Sequence, residues 1–188
     1  MDNTANAPII VRRLVEADAE QYRLLRLASL RNFQCAHGPD YEEALAQPVS
    51  WSAKRLARPD YFWFGAFDGA QDDAPLVGAI CLRTQDGRRL RHSASLNSLM
   101  VQQDYQGRGI ARLLSSHLIG FARSLGHIRQ LTLEVNEQNG PARRLYDSVG
   151  FRQFGVEPDA ILHEGRYYAK QHLQLSLVSQ DPNEQPIS

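Results

Sequence analysis

The sequence lacks the marks of several common protein classes. Only two of its 188 residues are cysteines, Cys35 and Cys81, too few for a disulfide framework or a cysteine metal cluster. Both are expected to be reduced thiols in a cytoplasmic protein. The 21 basic and 21 acidic side chains balance to zero, so charge gives no reason to expect a nucleic-acid or membrane partner. No apolar run approaches the length of a membrane span.

The ends of the chain are polar and lack the apolar core of a signal peptide. We expect residues 1–8 and 179–188 to be flexible. The stretch between them, residues 9–178, is long enough for one domain with its own core. No internal repeat or low-complexity tract interrupts it.

Familiar catalytic and nucleotide-binding signatures are also missing. The chain contains neither Gly-x-Gly-x-x-Gly nor Gly-x-x-x-x-Gly-Lys-Ser/Thr, which mark two widespread phosphate-binding loops. No Ser/His/Asp order and no metal-ligand spacing stands out. We therefore expect no metal site and no covalent nucleophile.

Apolar periodicity predicts more strands than helices, with the helices spread along the chain. This pattern is typical of a mixed α/β sheet domain. Asp40 to Ser50 is expected to be irregular, and Pro158-Asp159 to break the chain. The expected strands are 9–14, 61–67, 76–83, 96–101, 130–135, 151–156 and 167–177, and the expected helices are one after Asp18 and those at 50–57, 110–126 and 141–149.

Two glycines lie between the fourth expected strand and the long helix. Gly107 and Gly109 lack a Cβ, so the backbone there can turn sharply and approach a ligand. The first N–H groups of a helix are unpaired and carry partial positive charge, which suits a pyrophosphate. Arg108 and Arg112 add fixed charge. A simple turn without a ligand, or a phosphate site of another kind, remains an alternative.

The residues around these glycines resemble the GNAT acetyltransferases. Gln106, Gly109 and Ala111 fill the family's acetyl-CoA loop, Gln/Arg-x-x-Gly-x-Gly/Ala. A second block follows in the family's order, namely Asn139, then Leu145-Tyr146, then Gly150-Phe151. The resemblance covers about residues 9–177. It implies an α/β (α+β) fold with a mostly antiparallel sheet of seven strands, in which 96–101 and 131–135 run parallel and splay apart.

The resemblance also implies an acetyl-CoA site. Backbone N–H groups near Met100 and Val101 would face the pantetheine and the acetyl carbonyl, although these residues also suit a core strand. Asn139 would bind the pantetheine amide, or alternatively cap the next helix. The implied cosubstrate-binding residues are Leu99, Met100, Val101, Gln106, Gly107, Arg108, Gly109, Ile110, Ala111, Arg112 and Asn139.

Tyr146 is the candidate general acid. An ordinary tyrosine has a pKa of about 10, close to that of a thiol, so donation to a leaving thiolate is nearly balanced. The alternative is a tyrosine that only packs the core. The general base is not evident; Glu134, His92 and His163 are open candidates, and Glu42 or Glu43 could accept the proton through water.

The resemblance places an acceptor wall between the first two helices. Tyr41, Glu42 and Glu43 would bind a cationic amine there, or form a solvated acidic loop. We expect an N-acetyltransferase that moves acetyl from acetyl-CoA directly to a primary amine of a small molecule or a protein N-terminus. A catalytically weak acyl-CoA sensor is the alternative, and a homodimer is common in the family.

Overall fold

The structure, a computed structural model, describes residues 8–32 and 40–178. Cys35, the breaker at 37–39 and nearly all of the two ends expected to be flexible lie outside the described residues. None of the helices in the described ranges has the length and apolarity that crossing a membrane requires.

The described chain contains seven strands, five α-helices and two short 3-10 helices. The strands are β1 (Ile9–Arg13), β2 (Tyr61–Asp68), β3 (Leu76–Thr84), β4 (Ser93–Val101), β5 (Gln130–Asn136), β6 (Arg152–His163) and β7 (Arg166–Ser176). The helices are α1 (Ala19–Asn32), α2 (Tyr41–Leu45), α3 (Val49–Leu56), α4 (Ile110–Ser124) and α5 (Gly140–Ser148).

All seven strands join one sheet in the order β1-β2-β3-β4-β5-β7-β6. Every neighbouring pair is antiparallel except β4 and β5. This confirms the expected mixed, mostly antiparallel seven-stranded sheet flanked by helices. Strands β2 and β3 pair as a hairpin, which the turn-forming residues between them favour.

The parallel pair separates soon after it begins. Ser93 to Ser95 of β4 pair with Gln130 to Thr132 of β5, and no later residue of β4 has a partner on that side. Beyond this point β5 continues to pair with β7 on its other edge. The two strands therefore diverge and leave one edge of β4 open, as the family resemblance implied.

Helices cover both faces of the sheet. The apolar residues of α4, including Leu114 and Leu118, pack with one core cluster that contains Phe64 and Ile80. Residues of α1 and α3, such as Leu25 and Leu56, belong to a second cluster. The sheet thus separates α4 from α1 and α3.

A β-bulge in β4 reverses which face of the sheet the side chains after it point to. Asn97 and Met100 lie opposite Cys81 and Ala79, so three steps on β4 match two on β3. Ser98 absorbs the extra residue with a φ of 55°, a conformation that costs a non-glycine residue free energy. Because the bulge shifts the alternation by one, Leu96 packs into the α4 cluster but Met100 into the α1–α3 cluster.

Two sequence-based expectations were wrong. The stretch expected to be irregular contains α2, whose first N–H groups are capped by the Asp40 carboxylate, and also the first residue of α3, Val49. Pro158-Asp159 does not end a strand, because β6 runs through it with a register shift and Asp159 at a φ of 52°. Proline is tolerated there because β6 is an edge strand.

Candidate active site

A cavity of about 650 Å³ lies where β4 and β5 separate. It is lined from both faces of the sheet, because residues of the first turn of α4 and residues of α1 and α3 both contribute to its wall. The residues that line the cavity include Arg26, Ser29, Arg55, Leu99, Met100, Val101, Gln106, Gly107, Gly109, Ile110, Ala111, Arg112, Glu134, Asn139, Tyr146 and Lys170.

The glycine loop has the geometry of an anion site. Gly107 and Gly109 have φ values of 75° and 78°, in the left-handed region where glycine is favoured. A Cβ built at either position would meet no atom within 4 Å, so the space beside the backbone is open. No side chain caps α4, although its first N–H groups have no partner within the helix. The residues present therefore fit a phosphate-bearing ligand.

The two arginines of this loop differ in position. Arg112, in the first turn of α4, lines the cavity. Arg108 instead stacks its guanidinium 4.6 Å from the ring centre of Tyr105 and is not part of the lining. Gln106, Ile110 and Ala111 all reach the cavity wall, so most of the motif from Gln106 to Arg112 surrounds the same space.

The open edge of β4 presents backbone hydrogen-bonding groups to the gap. The N–H of Gln102 donates to the carbonyl of Val77 across β3 at 2.9 Å. Hydrogen-bonding direction alternates along an antiparallel strand, so the N–H of Met100 also faces β3 while that of Val101 faces the gap. Val101 is therefore the better-placed backbone donor of the two.

Tyr146 lies on the cavity wall and is almost fully buried. It is 6% exposed, and its ring packs edge-to-face on Phe151 with the centroids 5.8 Å apart. Burial raises the pKa of Tyr146 above the ordinary tyrosine value, so the hydroxyl keeps its proton through the neutral range. A proton-donating role stays a prediction, and the raised pKa makes Tyr146 a weaker acid than the ordinary tyrosine for which donation to a thiolate is nearly balanced.

Asn139 caps α5. Its side-chain oxygen accepts a hydrogen bond from the N–H of Ala142 at 3.1 Å, which is the structural role left open by the sequence. Asn139 also lines the cavity, so its capping function fixes the side chain beside the space that a pantetheine arm would occupy.

Glu134 is the candidate base that reaches the cavity. It projects from β5, is half-exposed and pairs with Lys170 of β7 at 3.1 Å. His92 and His163 are not among the lining residues. Geometry therefore favours Glu134, since Glu42 and Glu43 are not lining residues either.

The acidic segment of α2 lies elsewhere. Glu42 and Glu43 are exposed, and neither they nor Tyr41 belong to the cavity lining. Helices α1 and α3 instead contribute Arg26, Ser29 and Arg55 to the lining, and both charged residues among them are basic. We call these three residues the α1–α3 wall. A cation-binding role for Tyr41, Glu42 and Glu43 stays a prediction.

The sequence reading missed the α1–α3 wall and Lys170. One signal was present, since Tyr22, Leu25, Arg26 and Ser29 follow the i, i+3, i+4, i+7 spacing of the buried stripe of α1. An arginine on such a stripe is unusual, because charged side chains are seldom buried without a partner.

Cys81 offers no nucleophile. It is fully buried in β3, and burial raises the pKa of its thiol to about 12, so almost no thiolate forms at neutral pH. Among residues 8–32 and 40–178, no three histidine, cysteine or acidic side chains are grouped as a metal site would require.

Comparison with known proteins identifies the class. The sequence profile of the acetyltransferase (GNAT) family matches residues 22–151. The N-alpha-acetyltransferase RimI of Mycobacterium tuberculosis is 33% identical over 149 residues, covering 79% of this chain and 82% of that protein. An uncharacterized protein of Mycobacterium leprae is 29% identical over 163 residues, covering 87% of this chain, which spans only 38% of that longer protein.

A solved structure shows the same fold. The phosphinothricin acetyltransferase of Sinorhizobium meliloti, in complex with acetyl-CoA, has a TM-score of 0.77 at 18% identity, covering 94% of this chain and 92% of that one. The chain belongs to the GNAT acetyltransferase family. It is thus an enzyme of the GNAT N-acetyltransferase family, and the member from Sinorhizobium meliloti binds acetyl-CoA.

Proposed function

We propose that the protein transfers the acetyl group of acetyl-CoA directly to a primary amine of a small molecule or a protein N-terminus. One observation carries this proposal: a single cavity joins the uncapped N-terminus of α4, the open edge of β4 and the side chain of Tyr146. The relative named as an N-alpha-acetyltransferase supports an α-amine as the acceptor.

Binding of acetyl-CoA is assigned to the loop and to the open strand. The N–H groups from Gly107 to Arg112 would hold the pyrophosphate, with Arg112 adding charge. Leu99, Met100 and Val101 would border the pantetheine, which the side chain of Asn139 would meet from α5. Arg108 would act at the rim, where it stacks on Tyr105.

Each chemical task then has a residue. Binding places the thioester, which is already activated, beside the amine. The N–H of Val101 can stabilise negative charge that develops on the acetyl oxygen. Glu134, directly or through water, accepts the proton of the attacking amine, and Tyr146 donates its proton to the leaving thiolate. No residue of the chain becomes acetylated in this scheme.

Two measurements test the proposal. Calorimetry should show that CoA binds more tightly than ATP, which would exclude an unrelated phosphate site. Thiol release from acetyl-CoA should then depend on an added amine from a panel of amino acids, polyamines, aminoglycosides and peptide N-termini. Tight binding without amine-dependent thiol release from any class would instead indicate an acyl-CoA sensor. The homodimer and the cytoplasmic location stay predictions.

A further inference from the structure

The α1–α3 wall holds two arginines that have no anionic partner among residues 8–32 and 40–178. Arg26 is only 8% exposed, and its Nε is buried without a hydrogen-bond partner. The Nε of Arg55 donates to the hydroxyl of Tyr22 at 3.0 Å, a neutral acceptor. Within the described chain neither arginine forms an ion pair, and residues 33–39 contain no Asp or Glu.

The two guanidiniums share one aromatic neighbour. Both approach the ring of Trp51, Arg26 at 5.5 Å and Arg55 at 5.4 Å from its centroid. Burial lowers the pKa of Arg26, and the neighbouring charge of Arg55 lowers it further, while Tyr22 opposes both effects. A buried charge with a like charge in its surroundings is costly unless an anion joins them.

The position of these arginines indicates which of the two substrates, the acetyl donor or the acceptor, would supply the anion. The α1–α3 wall is across the sheet from α4, where the pyrophosphate is placed, yet it lines the same cavity. The space beside it is therefore left for the acceptor. Glu134, an acidic residue of the same cavity, pairs with Lys170 and therefore does not supply the anion that these arginines lack.

We propose that the acceptor amine also carries a carboxylate, which Arg26 and Arg55 bind at the α1–α3 wall. This inference rests on the proposed transfer to an amine and names the class of its acceptor, an amino acid or a close analogue. A guanidinium presents N–H groups in a planar fork that matches a carboxylate, so it fixes the orientation of the substrate as well as its charge. The amine is thereby held at a set distance from the thioester.

The first test compares acceptors in the wild-type protein. Amino acids are assayed beside their C-terminal amides and beside amines of the same length without the carboxyl group, with thiol release as the readout. Loss of a hydrogen bond to a charged group should lower kcat/KM by about 10- to 100-fold, so the free acids should be preferred by that factor. Equal rates for acids and amides would overturn the inference without any variant.

The second test uses Arg26→Gln, with Arg31→Gln as the matched control. Arg31 is an exposed arginine in the last turn of the same helix and does not line the cavity. Arg26→Gln should erase the preference for acids and leave the KM for acetyl-CoA unchanged, while Arg31→Gln should behave as wild type. Because Arg26 is a buried charge without an anionic partner in the described ranges, its replacement should not lower Tm. A lower Tm with an unchanged preference for acids would assign Arg26 a purely structural role.

Two further arms separate the possible outcomes. Peptide amides with an acidic or a neutral second residue show whether the carboxylate comes from a polypeptide side chain rather than from a free amino acid. Calorimetric titration of amino acids into the CoA-bound protein reports binding without turnover. Arg26-dependent binding without thiol release would keep the inference and overturn the proposed transfer. Transfer to neutral amines that is indifferent to Arg26 would keep the transfer and overturn the inference.

Discussion

The glycine at the start of α4 allows the acetyl-CoA site to be tested apart from the fold. Gly109 and Gly126 lie beyond opposite ends of α4 with φ values of 78° and 71°, and a Cβ at either meets no atom within 4 Å. An alanine in the left-handed region costs about 1–2 kcal/mol. At about 2–4 °C per kcal/mol for a domain of this size, Gly109→Ala and Gly126→Ala should each lower Tm by about 2–8 °C.

The two variants should differ in ligand binding. Only Gly109 lines the cavity, and a side chain there would hold the phosphate away from the N–H groups of the loop. Each hydrogen bond from a loop N–H to the charged phosphate contributes about 1.5–3 kcal/mol. Gly109→Ala should therefore weaken CoA binding by at least about 10-fold, as measured by calorimetry. Gly126→Ala should bind CoA as wild type does. Equal affinity in the two variants would refute the placement of the pyrophosphate.

Three other substitutions test the proposed general acid, the proposed general base and an ion pair that stabilises the fold. Tyr146→Phe should reduce kcat by about 10²–10⁴-fold with little change in CoA affinity, and because burial raises the pKa of Tyr146, the wild-type rate should not fall through its ionisation below about pH 10. Glu134→Gln should lower kcat, whereas Glu157→Gln, which removes a similarly exposed carboxylate paired with β7 outside the cavity, should not. Burial favours the neutral form of Asp18, but hydrogen bonds from Arg12 and from a backbone N–H outweigh it and lower its pKa. The stability from this pair is thus present above about pH 4 and lost as the pH falls through the lowered pKa, so Asp18→Asn should cost about 1–2 kcal/mol at pH 7 in urea unfolding and progressively less as the pH falls through that pKa.

Most of the fold was accessible from the sequence because its strands are strongly patterned. The aromatic run of β2 and the apolar run of β3, joined by a turn rich in glycine and aspartate, predict a hairpin whatever lies around them. The start of α4 was predicted at the correct residue, Ile110, because the glycines before it and the apolar spacing after it agree.

The errors in the fold come from tertiary context. Pro158 is an effective strand breaker in isolation, but it falls on the edge strand β6, where no hydrogen bond to a further strand is lost. A five-residue helix such as α2 has too few residues for periodicity to reveal, and only its cap, Asp40, was a usable signal. The bulge at Ser98 has no sequence mark, since its conformation is imposed by the pairing of β4 with β3.

The site divides in the same way. The loop from Gln106 to Arg112 is contiguous, so a motif could point to it, and Tyr146 lies in a second contiguous block. The α1–α3 wall is assembled from two helices whose residues are far from the motif in sequence. No local pattern brings Arg26 and Arg55 together, and only the packing of α1 and α3 on the sheet does so.

The central claim is that this protein forms an amide from acetyl-CoA and a primary amine. The most direct measurement is mass spectrometry of the acceptor after incubation with acetyl-CoA that carries an isotopic label in its acetyl group. The free thiol of the released CoA is measured in the same samples. The account predicts a labelled amide that accumulates in a one-to-one ratio with the thiol and that nearly disappears with Tyr146→Phe. Tight binding of acetyl-CoA with no labelled amide from any amine class would contradict it.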